Sequence, residues 1–209
     1  AATVAAVVRG ALDLGFPVIA VNDGSTDGTA GVLESLGGIT VLHHRKNRGK
    51  GAAILTGLAE AARFADRAVT IDADGQHHPE DIPLLLAAAP AGQRSIVVGN
   101  RHGMEDRNVP WTSRFGRTFS NFWVRASGGP HVADTQSGFR VYPLPETLEL
   151  GVRARRFQFE VEVLVRAHRA GIPVAEAPVA PEGDFRPGNP RPGHLPAGGP
   201  ADFPLPAAP

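Results

Sequence analysis

The sequence predicts an α/β domain built on a mostly parallel sheet with helices on both faces. Three observations predict it: short apolar runs that end in polar turns, segments of helical periodicity between those runs, and acidic residues where the runs stop. Sheets of this kind bind ligands beyond the carboxyl ends of their strands, so chemistry is expected at the ends of the runs.

Val4, Val7, Val8, Ala11 and Leu12 repeat at helical spacing before Gly15. Pro17 to Val21 is an apolar run entering Asn22-Asp23-Gly24-Ser25, which reads as a buried strand and its turn. A helix follows from about Asp27 to Leu36, then a strand from Ile39 to Leu42. Gly49 to Ala62 carries Ala53, Ile54, Gly57, Leu58 and Ala61 at helical spacing. Ala68 to Ile71 is a strand closing on Asp72-Ala73-Asp74, Pro79 opens a helix through Leu86, and Ser95 to Val98 is a strand before a polar loop. Arg114 to Ala126 and Phe159 to Ala170 read as helices, the second with Val161, Leu164, Val165 and His168 on one stripe, and Val174 to Ala180 as a strand. From Pro181 the character changes: the final 29 residues hold nine Pro and five Gly, which sustain neither helix nor central strand. The expected organisation is one domain over residues 1–180 and a disordered Pro/Gly-rich tail over 181–209.

Composition narrows the function classes. The 209 residues suffice for one hydrophobic core. Lys plus Arg and Asp plus Glu number 21 each, so no whole-molecule field draws the chain to nucleic acid or an anionic membrane, and any anion must be held locally. The absence of cysteine excludes disulfides, thiolate zinc sites and cysteine nucleophiles, leaving oxygen and nitrogen ligands. No apolar run approaches the roughly 18 to 20 residues that span a bilayer, and no secretory pattern opens the sequence, so a cytoplasmic placement is expected.

Ile71-Asp72-Ala73-Asp74-Gly75-Gln76 is the most informative segment. Residues two apart on an extended chain face the same way, so Asp72 and Asp74 can aim at one point, with Gln76 as a neutral oxygen ligand. Mg²⁺ or Mn²⁺ suits such a set, because these ions take one or two protein carboxylates and complete their shell with water and phosphate. Without the ion, a carboxylate and a phosphate about 5 Å apart repel by about 3 kcal/mol at an effective dielectric of about 20. A divalent cation reverses that sign and neutralises a departing diphosphate. The competing reading is an acidic pair capping the structure after a strand.

Other segments carry paired readings. In Val21 to Thr29, the glycines allow a sharp turn and Asp23 can accept hydrogen bonds from a base or ribose, while Ser25, Thr26 or Asp27 can cap the next helix. Asn47-Arg48-Gly49-Lys50-Gly51 opens a helix whose N–H groups favour an anion, though without Walker spacing; the alternative is a connection with two solvated cations. Arg101, Arg114 and Arg117 offer guanidinium forks to phosphate or are ordinary surface residues. In Asp134-Thr135-Gln136-Ser137-Gly138-Phe139-Arg140, Asp134 can be a base or orient an acceptor, and Arg140 can hold it or meet a phosphate; a buried turn stapled by an Asp–Arg pair is the alternative. The pairs His43-His44 and His77-His78 lack metal spacing and receive no role. Trp111, Phe115, Phe119, Phe122 and Trp123 either receive a lipid or pack a core.

Taken in order, residues 21–29, 47–53, 72–77 and 134–140 resemble family 2 glycosyltransferases, and among these the polyprenyl-phosphate sugar transferases such as dolichyl-phosphate mannosyltransferase. The resemblance covers about residues 1 to 180. It implies a three-layer α/β/α, GT-A-like nucleotide-diphospho-sugar transferase fold. It also implies inverting transfer of a hexose from a GDP-mannose or UDP-glucose type donor to a polyprenyl phosphate, by a chain peripheral on the inner membrane face. A saccharide acceptor and a noncatalytic nucleotide-sugar-binding chain are the alternatives. By motif match, Asn22, Asp23, Ser25 and Lys50 bind substrate, with Asp23 at the nucleotide. Asp72, Asp74 and Gln76 hold Mg²⁺ or Mn²⁺, and Arg101, Arg114 and Arg117 meet phosphates. Asp134, Ser137 and Arg140 lie near the acceptor; Asp74, Asp134 and Arg140 are the catalytic candidates. A phosphate monoester has a second pKa of about 6 and is already largely a nucleophilic anion at neutral pH, so positioning outweighs proton removal. The sequence departs from the family twice: the central strand and Pro-x-Tyr-Asn-Glu segment expected ahead of the first helix are absent, and the Pro/Gly tail replaces a basic structured segment after Glu182.

Overall fold

The computed structural model describes residues 2–101, 129–130 and 132–179, the side chains of residues 2 and 101 excepted. The expected helix 114–126 with Arg114, Arg117 and its aromatic residues, and the tail 181–209, lie outside the described residues.

Helix α1 (Ala2–Asp13) buries Val4, Val7, Val8 and Ala11 on one stripe. It stops at Gly15, whose φ of 79° lets its N–H return to the Leu12 carbonyl at 2.8 Å. Strand β1 (Val18–Asn22), helix α2 (Thr29–Ser35) and strand β2 (Ile39–His43) follow. Helix α3 (Lys50–Ala61) and strand β3 (Arg67–Thr70) complete the first half. A single 3-10 turn (Pro79–Asp81) then leads into helix α4 (Ile82–Ala87) and strand β4 (Ile96–Arg101). After the undescribed stretch come strand β5 (Arg140–Pro143), helix α5 (Glu146–Glu149), helix α6 (Gln158–Arg169) and strand β6 (Val174–Val179).

Alternation along the strands sorts the core into two layers. Ile19, Ala68, Ile96, Val98 and Tyr142 face α3, α5 and α6 and meet Leu58, Phe159, Val163 and Leu164. Val97, Val141 and Ala177 face the other way, against Ala11, Ile82 and Leu85. Leu33 of α2 packs with Val4 and Val8 over β1 and β2. The result is the expected three-layer α/β/α arrangement. On α6 the buried stripe is Phe159, Val163, Leu164 and Ala167, and His168, expected on it, is exposed.

The sheet is more mixed than the sequence implies. Strands β4 and β6 are parallel, but β5, which the periodicity does not reveal, lies between β3 and β4 and is antiparallel to both. Only four residues long and bounded by Arg140 and Pro143, it offers no apolar run, yet all four are buried.

The sheet is also split. Strands β1 and β2 form a parallel pair, and β3, β5, β4 and β6 form a separate four-stranded sheet. Between them opens a cleft of about 690 Å³ lined by β1, β3, α1 and α3. Residues 18–21 and 68–70 are accordingly only half-buried, whereas Ile96, Val97 and Val98 in β4 are fully buried. The split lies where the family resemblance places a central strand, and each flanking strand presents an edge without a ladder partner among the described residues. The first turn of α1 stands at the carboxyl end of β3, where a Cβ on Gly75 would lie 2.6 Å from Thr3.

Candidate active site

The strand ends converge as the α/β architecture demands. Asn22, Asp23, Ser25, Lys50, Asp72 and Asp74 all line the mouth of the cleft.

Asp23 follows β1 and binds the loop that opens α3. Its Oδ1 accepts the Arg48 N–H at 2.9 Å and its Oδ2 the Gly49 N–H at 2.8 Å. His44, just past β2, donates from Nδ1 to Oδ1 at 2.6 Å, and its Nε2 lies 3.0 Å from the Thr56 hydroxyl on α3. Burial pushes the Asp23 carboxyl up, but the bonds from His44, Arg48 and Gly49 outweigh it and hold the carboxyl below its ordinary value. Asn22 is buried and caps the turn by accepting the Ser25 N–H at 3.0 Å, while the Ser25 side chain is exposed. Gly24 is required here: φ is 72°, and a Cβ would sit 2.6 Å from the Asn47 nitrogen.

Lys50, in the first turn of α3, ties three segments together. Its Nζ is 2.7 Å from Asp72 Oδ2 beyond β3 and 2.6 Å from Glu160 Oε1 on α6. Burial alone lowers the lysine pKa, but the two carboxylates outweigh it and raise it. For Glu160 burial dominates: its carboxyl is raised despite the attraction of Lys50 and Arg140. Gly138 closes this arrangement from the side, since a Cβ there would lie 2.4 Å from Asp72 Oδ2 and 2.7 Å from Lys50 Nζ. Its carbonyl accepts the Thr70 hydroxyl at 2.8 Å.

Asp74 is exposed, and its Oδ1 accepts the Gln76 N–H at 3.0 Å, so the acidic segment is wound into a turn rather than fully extended. The Gln76 side chain is exposed. No group of three or more His, Cys, Asp or Glu side chains placed to hold one metal ion forms among the described residues. Two carboxylates at a cleft mouth fit a hard ion that keeps most of its shell for water and phosphate oxygens, and do not fit a four-ligand zinc centre.

The segment 134–140 carries the expected acceptor-side residues in a deeply buried turn. Asp134, Ser137 and Arg140 are each at most 1% exposed. Arg140 serves backbone carbonyls: Nε donates to Ser137 at 2.7 Å, one terminal nitrogen to Glu160 at 2.9 Å and the other to Thr135 at 2.8 Å. These bonds lock the turn that carries Gly138 against Asp72. Arg101 ends β4 opposite Val179, and its side chain, like Arg114 and Arg117, lies outside the described residues. Sequence reasoning missed His44, Thr56 and Glu160. Glu160 had a legible signal, an acidic residue on the otherwise buried stripe of an amphipathic helix; for His44 the only hint was its position at a strand end.

Comparison with known proteins gives the family and the fold. The profile of Glycosyl transferase family 2 matches residues 1–148. The chain is 32% identical over 183 residues to the UDP-N-acetylglucosamine–dolichyl-phosphate N-acetylglucosaminyltransferase of Methanococcus voltae, covering 78% of this chain and 73% of that protein. It is 32% identical over 177 residues to the polyprenol monophosphomannose synthase of Mycolicibacterium smegmatis, covering 78% of this chain and 65% of that protein. Among solved structures, glucosyl-3-phosphoglycerate synthase from Mycobacterium tuberculosis, in complex with Mn²⁺, UDP and phosphoglyceric acid, superposes with a TM-score of 0.68. That similarity is one of fold, at 22% identity over 88% of this chain and 66% of the other. With a family profile running through β1, the Asp72/Asp74 turn and the 134–140 segment, and that fold beneath it, the chain belongs to glycosyl transferase family 2.

Proposed function

We propose that this chain is an inverting hexosyltransferase that uses a GDP-mannose or UDP-glucose type donor and a polyprenyl phosphate acceptor. The observation that carries this reading is the convergence at one cleft mouth of Asp23, Lys50, Asp72 and Asp74, walled by the Gly138 turn. The named acceptors of the Methanococcus and Mycolicibacterium relatives support the lipid phosphate.

In this reading Asp72 and Asp74 hold Mg²⁺ or Mn²⁺, with Gln76 adjacent. The ion supplies charge neutralisation for the diphosphate. Lys50 has Glu160 as a second partner, so it keeps a counter-charge when Asp72 turns to the ion. Asp23 organises the 47–49 loop, whose N–H groups and Arg48 border the nucleotide, and Asn22 and Ser25 shape the facing turn. Asp134, Ser137 and Arg140 position the acceptor wall rather than touch the reacting atoms. An acceptor phosphate oxygen, already anionic, attacks the anomeric carbon from the face opposite the diphosphate. The sugar–oxygen bond to the diphosphate breaks as the new one forms, its electron pair leaves with the nucleoside diphosphate, and the configuration inverts. A second reading, a nucleotide-sugar-binding chain without turnover, is favoured by one observation, the split sheet beside the donor site.

Calorimetry with GDP-mannose and UDP-glucose, each with and without Mn²⁺, tests the donor site. Binding of one donor only with the ion is expected; a folded sample that binds neither defeats the proposal. Given turnover, Asp72→Ala and Asp74→Ala are each expected to reduce transfer to polyprenyl phosphate by about a hundredfold or more, read against soluble glycan acceptors in parallel. Full activity in both variants rules out these carboxylates as the ion's ligands.

The Asp23 staple has a pH signature. Because the folded carboxyl is held below its ordinary value of 3.8, its contribution is present above that pH and is lost as pH falls through the folded value. Asp23→Asn is therefore expected to lower Tm near neutrality, with the gap to the unsubstituted chain closing below pH 3.8. A gap of constant size down to strongly acidic pH would show that the carboxylate charge is not the staple.

A further inference from the structure

A segregated cationic surface flanks the site on a chain of zero formal net charge. Arg45, Lys46 and Arg48, in the loop from β2 to α3, are exposed, as are Arg153, Arg155 and Arg156 in the segment leading to α6. Residues 45–59 and 150–159 contain no Asp or Glu, although the whole chain balances 21 cations with 21 anions. None of these six side chains is in an ion pair among the described residues. Three acids that border these segments are otherwise engaged: Asp23 holds His44 and the Arg48 and Gly49 N–H groups, Glu160 is buried against Lys50, and Glu162 accepts the N–H groups of residues 153 and 154 and pairs with Arg166 at 2.6 Å.

The two cationic segments are pressed together. The Ala52 N–H donates to the Arg155 carbonyl at 3.0 Å, and a Cβ on Gly49 would lie 2.5 Å from that carbonyl and 2.8 Å from Arg156 Cγ. Next to Arg156 stands Phe157, 73% exposed and the most exposed of the large apolar side chains described. Cations beside a solvent-facing aromatic ring form a two-part anchor: the charges attract an anionic surface, and the ring enters the interfacial layer where aromatic side chains are favoured.

We propose that this surface docks the chain on an anionic lipid bilayer, bringing the cleft mouth to the headgroup layer. Gly49 places the surface beside the site, because its N–H is bound by Asp23 and the next residue is Lys50. The choice of a bilayer over another polyanion rests on the lipid-phosphate acceptor proposed above. The docking itself is measured without donor, acceptor or ion.

The test is co-sedimentation of the full chain with vesicles of phosphatidylcholine plus phosphatidylglycerol, against phosphatidylcholine alone. Binding to the anionic vesicles only is expected. It should vanish as salt is raised from about 0.1 M to about 1 M, where the screening length falls from about 10 Å to about 3 Å. Each Lys or Arg near such a surface contributes about fivefold, so R153S/R155S/R156S is expected to weaken vesicle binding about a hundredfold. The matching lysine triple variant should retain it, and Phe157→Ser should weaken binding at about 0.1 M salt without changing its salt dependence. Anionic-vesicle binding that is absent in the unsubstituted chain, unchanged in the serine triple variant, or replaced by binding to single-stranded RNA at the same salt overturns the proposal. Transfer to polyprenyl phosphate in detergent, measured on the same proteins, separates the two readings. Vesicle binding without transfer removes the proposed function and leaves the docking surface, whereas transfer without vesicle binding does the reverse.

Discussion

The site depends on one ammonium group. Lys50 joins the first turn of α3 to the end of β3 through Asp72 and to α6 through Glu160. A buried carboxylate such as Glu160 is costly unless a cation sits beside it, and removing one member of a buried pair typically costs about 3 to 5 kcal/mol through the charge left behind. The backbone is arranged to permit this contact. Gly51 approaches Phe159 so closely that a Cβ would lie 2.6 Å from its Cβ, and Gly138 leaves just enough space for the Asp72 carboxylate and the lysine. Small residues at these positions are thus the steric counterpart of the ion pairs.

Around that centre the rest of the site is held by hydrogen bonds to backbone. Asp23 binds the loop before Lys50, and Arg140 binds the turn before β5, each saturating a charged side chain with main-chain partners. Such bonds fix loop shape without drawing on the groups left at the cleft mouth, Asp74 and the outer side of Asp72. The same cleft divides the sheet, so the carboxylates at its mouth and the edges of β1 and β3 border one opening.

Charge is distributed with equal economy. The chain is neutral overall, yet Asp23, Asp72 and Asp74 meet at the cleft mouth and six exposed cations lie beside it on two abutting loops. The sequence shows the cations as separate short runs, 45–48 and 153–156, more than a hundred residues apart. Packing of Gly49 and Gly51 against residues 154–159 makes them one surface.

The sequence by itself determined the layered α/β architecture, because apolar periods of two and 3.6 are local properties that survive in any fold that buries them. It also determined which strand ends carry carboxylates, since Asp23 and the Asp72/Asp74 pair follow directly on apolar runs. Only the tertiary structure decided what those groups touch. Asp72 finds its lysine 22 residues upstream, and Asp23 finds His44 and the Arg48 and Gly49 N–H groups through the pairing of β1 with β2. Strand β5 and the carbonyl partners of Arg140 were equally illegible. A four-residue strand between two others is defined by its neighbours' ladders, and a buried guanidinium by carbonyls that face it only after the chain has closed.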